Sequence, residues 1–278
     1  MRWLTDPFGY DFMRRALVAG LLAVAVTSVA GTWVVLRRLA FMGDALAHGI
    51  VPGVALALLI GVDPVVGAFV AAVVMIGAIA VIHRTTRLGE DTAIGLLFVG
   101  MLAIGVILIS RSHSFAVDLV AVLFGDVLGV TVGDLWLQAA AVAIVFAGVA
   151  VFYRPLLTLA FNEQKAEALG MRPRTANLVM LGLITVAVVS SFRAVGALLV
   201  FGLLVAPPAT AILIARRVPV VMAVAMLLGF AEVFGGLVIS FHADTATGAT
   251  VSGLAVAVFF VVLAVTRVAA RVRVPGGA

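Results

Sequence analysis

The 278-residue sequence contains no cysteine, which excludes disulfide bonds and thiolate metal sites. Charge is sparse as well, because Asp, Glu, Lys and Arg make up 11% of the chain. No Walker sequence and no long polar domain is present, so we expect the chain neither to hydrolyse ATP by itself nor to be an enzyme. The net charge of +5 does not indicate nucleic-acid binding, because the basic residues lie at the ends of apolar segments.

Apolar residues dominate what is present: 64% of the chain is hydrophobic, and the mean hydropathy is +1.29. Segments of about 20 apolar residues match the thickness of a bilayer, and the short alternating strands of an outer-membrane barrel are missing. The sequence therefore predicts an all-α membrane protein, a polytopic bundle of eight to nine transmembrane helices forming one domain over 1–278. The candidate spans are 16–36, 44–61, 64–82, 92–110, 134–152, 175–192, 196–214, 219–241 and 248–266.

Basic residues orient the predicted bundle, because cytoplasmic loops are enriched in Lys and Arg. With the N-terminus outside and nine helices, thirteen of the 18 basic residues fall inside. Arg14 and Arg15 fit this arrangement least well, and an N-terminus inside with one re-entrant segment stays open. The residues placed inside are Arg37, Arg38, Arg84, Arg87, Arg154, Lys165, Arg172, Arg174, Arg216, Arg217, Arg267, Arg271 and Arg273.

Residues 41–57 carry the most informative polar pair, Asp44 and His48, in an otherwise apolar helix. Side chains four residues apart lie on one face of a helix, and burying them in hydrocarbon is costly unless something pairs with them. Small residues every four positions (Ala45, Gly49, Gly53 and Ala57) predict close helix packing beside that face. Pro52 is expected to kink the helix and free a carbonyl. The alternative is an Asp–His pair that only satisfies itself.

Further acidic and histidine side chains lie farther along the chain. Glu232 sits within an apolar span and, with Asp44 and His48, would give carboxylate and imidazole ligands suited to Mn²⁺, Zn²⁺ or Fe²⁺. A neutral Glu232 hydrogen-bonded to a neighbouring helix explains the residue equally well. His242 and Asp244 follow that span and are candidates for an outer entrance to a cation path, although a solvated loop accounts for them too.

Two proline and loop features complete the pattern. Pro207 and Pro208 lie inside an apolar span, where we expect them to break or kink the helix. Residues 162–170 form a polar connection in which Asn162 is a good N-cap, Glu163 suits the first turn and Gly170 can end a short helix. Such a helix, placed inside, can dock in a partner's groove or be an ordinary loop helix.

These motifs together resemble the permease subunits of the metal-importing ABC transporters of the zinc, manganese and iron type. The strongest match is Met-Gly-Asp-Ala-Leu-Ala-His-Gly-Ile-Val-Pro-Gly at 42–53, which is similar to the family's Gly-Asp-Ala-Leu-(Ser/Ala)-His signature. Weaker matches follow in the family's order, with a second proline at Pro208 replacing the usual alanine. They lie at 91–95, 123–128, 161–170, 194–200, 204–211 and 236–244.

The resemblance implies a multi-pass permease of the bacterial cytoplasmic (inner) membrane, working by alternating access. It implies a homodimer in the lipid bilayer, two cytoplasmic ATP-binding subunits and an extracytoplasmic metal-binding protein. It also implies that the divalent metal is transported cargo rather than a permanently bound cofactor. Asp44 and His48 take the role of metal-pathway ligands, while Glu232 rests on its position in the span alone. The segment 162–170 takes the role of coupling helix, with Asn162, Glu163, Glu167, Leu169 and Gly170 as its candidate contacts.

Other functions fit the sequence less well. A permease for chelated iron or a corrinoid is usually larger and needs no bare-metal ligands such as Asp44 and His48. A secondary, ion-coupled metal carrier would work without an ATPase. An intramembrane metalloenzyme would need a set such as His-Glu-x-x-His, which this sequence lacks.

Overall fold

The computed structural model describes residues 6–86, 90–110, 129–161 and 173–272. In these ranges the chain forms a short 3-10 helix, Asp6–Gly9, and α-helices, without any β-strand. The α-helices are α1 Asp11–Leu36, α2 Ala40–Gly49, α3 Val51–Leu59, α4 Pro64–Thr85, α5 Glu90–Ser110, α6 Val132–Phe161, α7 Pro173–Ile214, α8 Val218–Ala243 and α9 Thr247–Val272.

The described helices confirm the predicted all-α transmembrane bundle. Seven segments are long and apolar enough to cross a bilayer, one of them being α2 and α3 together, Ala40–Leu59. Two shorter apolar helices, Thr92–Leu108 and Leu198–Ile214, add to these seven. The chain is thus a multi-pass membrane protein, and its described apolar segments reach the upper end of the predicted eight to nine.

Helix α1 forms the centre of the bundle and packs against α6, α7 and α8. In its most apolar stretch 72% of the residues are buried, whereas the value is 28% in α4 and 22% in both α6 and α9. The apolar side chains that α4, α6 and α9 expose, such as Val74, Val151 and Val265, suit contact with lipid tails.

Close helix contacts reveal the direction of neighbouring spans. A Cβ atom at Gly20 would lie 2.5 Å from Cγ1 of Val233, and one at Gly229 would lie 2.6 Å from Cγ1 of Val24. Residue numbers rise along α1 while they fall along α8, so these two helices are antiparallel. An alternating nine-span arrangement requires this relation between its first and eighth spans.

Helix α7 breaks at the boundary between the predicted spans 175–192 and 196–214 and not at its two prolines. The helix continues through Pro207 and Pro208 to Ile214, and its non-helical dihedrals occur at Gly196, where φ is +79°. That left-handed value favours glycine, so it divides α7 into a first arm, Pro173–Phe192, and a second arm, Leu198–Ile214. The predicted helix break at Pro207 and Pro208 is therefore wrong. Pro155 likewise lies inside α6, which runs on to Phe161.

The packing around the second arm explains how the helix tolerates its prolines. Pro208 has no N–H to donate to the carbonyl of Leu204, four residues earlier. That carbonyl oxygen instead lies against Gly31 of α1, where any Cβ would overlap it. The hydroxyl of Thr210 donates to the carbonyl of Ala206 at 2.8 Å. A neighbouring glycine thus makes room for the Leu204 carbonyl that Pro208 leaves without its helical donor, as occurs in other membrane helices.

Candidate functional site

Asp44 and His48 lie one turn apart on α2, as the sequence predicts. Nε2 of His48 is 3.5 Å from Oδ1 of Asp44, and each side chain is 29% exposed. The span begins at Ala40 rather than Asp44, which places Asp44 about 6 Å and His48 about 12 Å along it. The pair is therefore inside the span, in the half that the basic residues assign to the cytoplasm, and it is open on one side.

The small-residue stripe beside this pair packs against α4. A Cβ atom at Gly53 would overlap the carbonyl oxygen of Gly67, and one at Gly67 would lie 2.6 Å from Cβ of Ala57. A Cβ at Gly49 would overlap Sδ of Met75. The predicted close packing is confirmed for these three stripe positions, and it leaves the Asp44–His48 face turned away from α4.

The helix is interrupted between the pair and Pro52. Helix α2 ends at Gly49 and α3 begins at Val51, with Ile50 between them. Pro52 cannot donate to the carbonyl of His48, and the N–H of Ile50 donates to the carbonyl of Leu46 at 3.2 Å. The proline thus interrupts the helix as expected and removes the usual helical donor to the carbonyl of His48.

Helix α5 covers the side of α2 that carries the pair. The ring of Phe98 meets the imidazole of His48 edge to face, with centroids 5.9 Å apart and planes at 68°. The same ring meets Phe41 at 5.8 Å and 67°. Sequence reasoning did not find Phe98, because nothing local in an apolar helix marks which of its aromatic side chains will reach a distant histidine.

Glu232 occupies a different environment on α8. Its side chain is 2% exposed, and neither carboxylate oxygen has a hydrogen-bond partner among the described residues. Neighbouring positions on α8, Gly229 and Val233, pack directly against α1. Within the described part of the chain, no neighbouring helix supplies the hydrogen bond that would explain the residue structurally.

The structure does not bring Glu232 together with the Asp44–His48 pair. Within the described part of the chain, no group of three or more His, Asp or Glu side chains is close enough to hold a metal ion. One carboxylate and one imidazole, with an open side, can bind a divalent transition metal only weakly. Weak ligation is what a conduction path needs, because a cation held tightly would not leave.

His242 and Asp244 lie at the end of α8, and each has a visible local role. Nδ1 of His242 lies 2.9 Å from the carbonyl oxygen of Val238, and its ring packs edge to face with Phe241 at 5.4 Å. Asp244 adopts the left-handed conformation, φ +49°, that ends the helix. Their use as an outer entrance stays a prediction.

The coupling segment falls outside the described residues. Asn162, Glu163, Glu167, Leu169 and Gly170 lie between the end of α6 and the start of α7. Phe161, the last residue of α6, is 71% exposed. This large apolar side chain is therefore next in sequence to the predicted coupling segment. The basic residues assign this end of the bundle to the cytoplasmic side.

Comparison with known proteins gives consistent matches over nearly the whole chain. Residues 9–266 match the family described as the ABC 3 transport family. The manganese transport system membrane protein MntC of Halalkalibacterium halodurans is 35% identical over 242 residues, covering 87% of this chain and 83% of the relative. The chelated iron transport system membrane protein YfeD of Yersinia pestis is 32% identical over 263 residues, covering 93% and 86%.

A solved structure extends the similarity to three dimensions. The structure titled PsaBC from Streptococcus pneumoniae in complex with Fab superposes with a TM-score of 0.84. Its sequence is 29% identical, and the match covers 94% of this chain and 94% of that chain. The described helices therefore have the same arrangement in both proteins.

Proposed function

The chain belongs to the ABC 3 transport family, and from that premise we propose that it is the membrane-spanning permease of an ATP-driven importer for Mn²⁺, Zn²⁺ or Fe²⁺. The observation that carries the proposal is the Asp44–His48 pair, a carboxylate and an imidazole on the open face of a membrane helix. Ionisable side chains inside membrane segments usually mark ion pathways. The names of the manganese and iron transport relatives support the same cargo.

The energy for transport belongs, in this proposal, to partner chains. The protein is a non-enzymatic membrane subunit, and two cytoplasmic ATP-binding subunits drive its alternating access. A second copy of the chain completes the permease, and an extracytoplasmic metal-binding protein delivers the cation. The segment 162–170, next to the exposed Phe161, supplies the contact to the ATP-binding subunits, because a short helix can seat apolar side chains in a groove.

Metal uptake by cells tests the role of the pair. The permease, expressed with its ATP-binding and metal-binding partners in a strain lacking high-affinity importers, should restore uptake of radioactive Mn²⁺, Zn²⁺ or Fe²⁺. Asp44→Asn and His48→Gln keep a side chain of similar size and replace the carboxylate and the imidazole nitrogen by weaker, neutral amide ligands. Their loss of uptake should exceed the about 10- to 100-fold typical of residues that only orient a metal ligand.

A matched control separates loss of a ligand from loss of charge. Asp11 is the first residue of α1, and 86% of its side chain is exposed, so Asp11→Asn should transport at the wild-type rate. Equal amounts of each variant in the membrane must be verified. Wild-type uptake by both Asp44→Asn and His48→Gln would refute the pathway assignment. Uptake of a supplied iron chelate in place of free ions would show that the transported substrate is a chelate.

A further inference from the structure

The imidazole of His48 is held by fewer contacts than a metal ligand normally has. Nε2 lies 3.5 Å from the Asp44 carboxylate, at the limit of a hydrogen bond. No hydrogen bond to either ring nitrogen is found among the described residues. Metal-binding histidines usually donate a hydrogen bond from their second ring nitrogen to a carboxylate or carbonyl, and this bond fixes the ring. Another contact must therefore set the orientation of this ring.

Phe98 provides that contact from the neighbouring span. Its ring lies edge to face with the imidazole at 5.9 Å, an arrangement that aromatic pairs favour. Phe41 lies one turn before Asp44 on α2 and packs edge to face with the same Phe98 ring, at 5.8 Å. The three rings form one cluster on the ligand face of α2, and Phe98 is its middle member.

Helix α5 is fixed in the register that puts Phe98 at this place. A Cβ atom at Gly95 would lie 3.7 Å from the ring of Phe41. A Cβ at Gly105 would lie 3.1 Å from Cγ1 of Val51 and 3.3 Å from the nitrogen of Pro52. Contacts at both ends of the shared length thus hold α5 parallel to α2 and α3, and the position of the Phe98 ring does not depend on a mobile loop.

We propose that Phe98 is a positioning residue for metal transport, which holds the imidazole of His48 so that Nε2 and the Asp44 carboxylate face the same cation. The inference rests on the proposed function and deepens it. Phe98 does not touch the cation; it acts through His48, and Phe41 limits the movement of the Phe98 ring. The edge-to-face contact restricts rotation of the imidazole. The Asp44 carboxylate, 3.5 Å from Nε2, is too far away to fix the ring by itself.

The uptake test compares three substitutions at matched expression in the complete importer. Phe98→Leu removes the ring and should raise the KM for Mn²⁺ about two- to tenfold, the range expected for losing one aromatic pair, with little change in maximal rate. Phe98→Tyr keeps the ring and should have the wild-type KM. Phe146→Leu on α6, where the phenylalanine is 40% exposed, is the control for loss of an aromatic side chain elsewhere and should have no effect.

Magnetic resonance tests the contact without relying on transport. The chain has four histidines, so selective histidine labelling gives a simple spectrum in which His48→Gln identifies the signal of His48. Phe98→Leu should shift that signal through loss of the ring current, and Phe146→Leu should leave it in place. In the unaltered protein, a nuclear Overhauser effect should join the protons of the His48 and Phe98 rings.

The outcomes separate the inference from the proposed function. An unchanged KM and an unshifted His48 signal in Phe98→Leu would overturn the positioning role, even if Asp44→Asn abolishes uptake. Normal uptake by Asp44→Asn and His48→Gln would instead overturn the proposed function and this inference with it. If Phe98→Leu does not reach the membrane, Phe98→Met has a similar volume and serves the same comparison, while the nuclear Overhauser effect in the unaltered protein decides independently.

Discussion

The Asp44–His48 pair and Glu232 are two ionisable regions within apolar helices, and their surroundings are opposite. The pair consists of two neighbouring groups, each 29% exposed, on a face of α2 that the Phe98 ring of α5 covers in part. Glu232 is 2% exposed on α8, and both of its carboxylate oxygens lack a partner. The basic residues assign the pair to the cytoplasmic half of its span, whereas Glu232 lies about 21 Å along α8, nearer the other side.

The difference shows which region can exchange a cation without rearrangement. An open pair keeps part of its hydration and can accept or release an ion at low cost. An ionised carboxylate buried without a partner costs several kcal/mol, and Glu232 is 2% exposed beside the close contact of α8 with α1 at Gly229. A cation could meet Glu232 only after the packing around it opens, so we expect the two regions to act at different stages of alternating access.

Thiol labelling gives the largest expected contrast between the two regions. The chain has no cysteine, so a single introduced thiol reports on its own position. A small cationic thiosulfonate should modify Asp44→Cys readily and Glu232→Cys at least about 100-fold more slowly, because a buried core position must first open locally. The rates are measured on the assembled importer in membrane vesicles without nucleotide.

Two reference positions calibrate these labelling rates. Asp11→Cys, in a side chain that is 86% exposed, gives the rate of an open site. Gln138→Cys, where the glutamine is completely buried, gives the rate of a closed one. Equal reactivity of Asp44→Cys and Glu232→Cys would remove the distinction, and faster reaction of Glu232→Cys on ATP binding would sharpen it by showing that the packing around position 232 opens during the cycle.

Substitution of Glu232 has a smaller expected effect and separates a structural from a transport role. Glu232→Met removes the orphan polar group and should raise the free energy of unfolding by about 1–3 kcal/mol, whereas Glu232→Gln leaves an unpaired amide and should not. If the carboxylate meets the cation during transport, uptake falls several-fold in both variants. Thermal unfolding of the purified protein and Mn²⁺ uptake are the two measurements.

Another buried orphan group serves as the matched control for Glu232. Ser191 is completely buried, and its hydroxyl has no partner, so Ser191→Ala should be neutral or slightly stabilising without affecting uptake. Unchanged uptake in both Glu232 variants would assign the carboxyl to structure alone. Destabilisation by Glu232→Met would mean that the polar group has a partner outside the described contacts.

The contrast also shows how far the sequence alone could reach. The Asp44–His48 spacing and the Gly49–Gly53–Ala57 stripe are local to one helix, so helical geometry was enough to predict both. The choice of α4 as packing partner, and of Phe98 as the ring against His48, depends on tertiary contacts between spans that no local pattern encodes. For the same reason the proposed meeting of Glu232 with the pair could not be judged from composition.

The error at the prolines has a related physical cause. Proline inside a helix removes a hydrogen bond, but Gly31 accommodates the affected Leu204 carbonyl across the interface with α1. Gly196 instead adopts positive φ, a conformation that the sequence permits at every glycine without requiring it. The coupling segment 162–170 lies outside the described residues, and its role stays a prediction.

The C-terminal end of α8, which the basic residues assign to the outer side, offers the smallest expected effect and limits how far the comparison extends. His242 and Asp244 already have local roles, since Nδ1 of His242 lies 2.9 Å from the Val238 carbonyl and Asp244 ends the helix in the left-handed conformation.

Asn can replace both with little disturbance, because its amide can donate near the Nδ1 position and Asn tolerates positive φ. The double variant His242→Asn, Asp244→Asn should therefore lower Mn²⁺ uptake only about twofold at limiting metal, through weaker electrostatic attraction of the cation. At saturating metal the rate should equal that of the wild type. Loss as deep as that of Asp44→Asn would instead locate an essential binding step at the outer end of α8, and the open pair on α2 would become the second site that the cation meets.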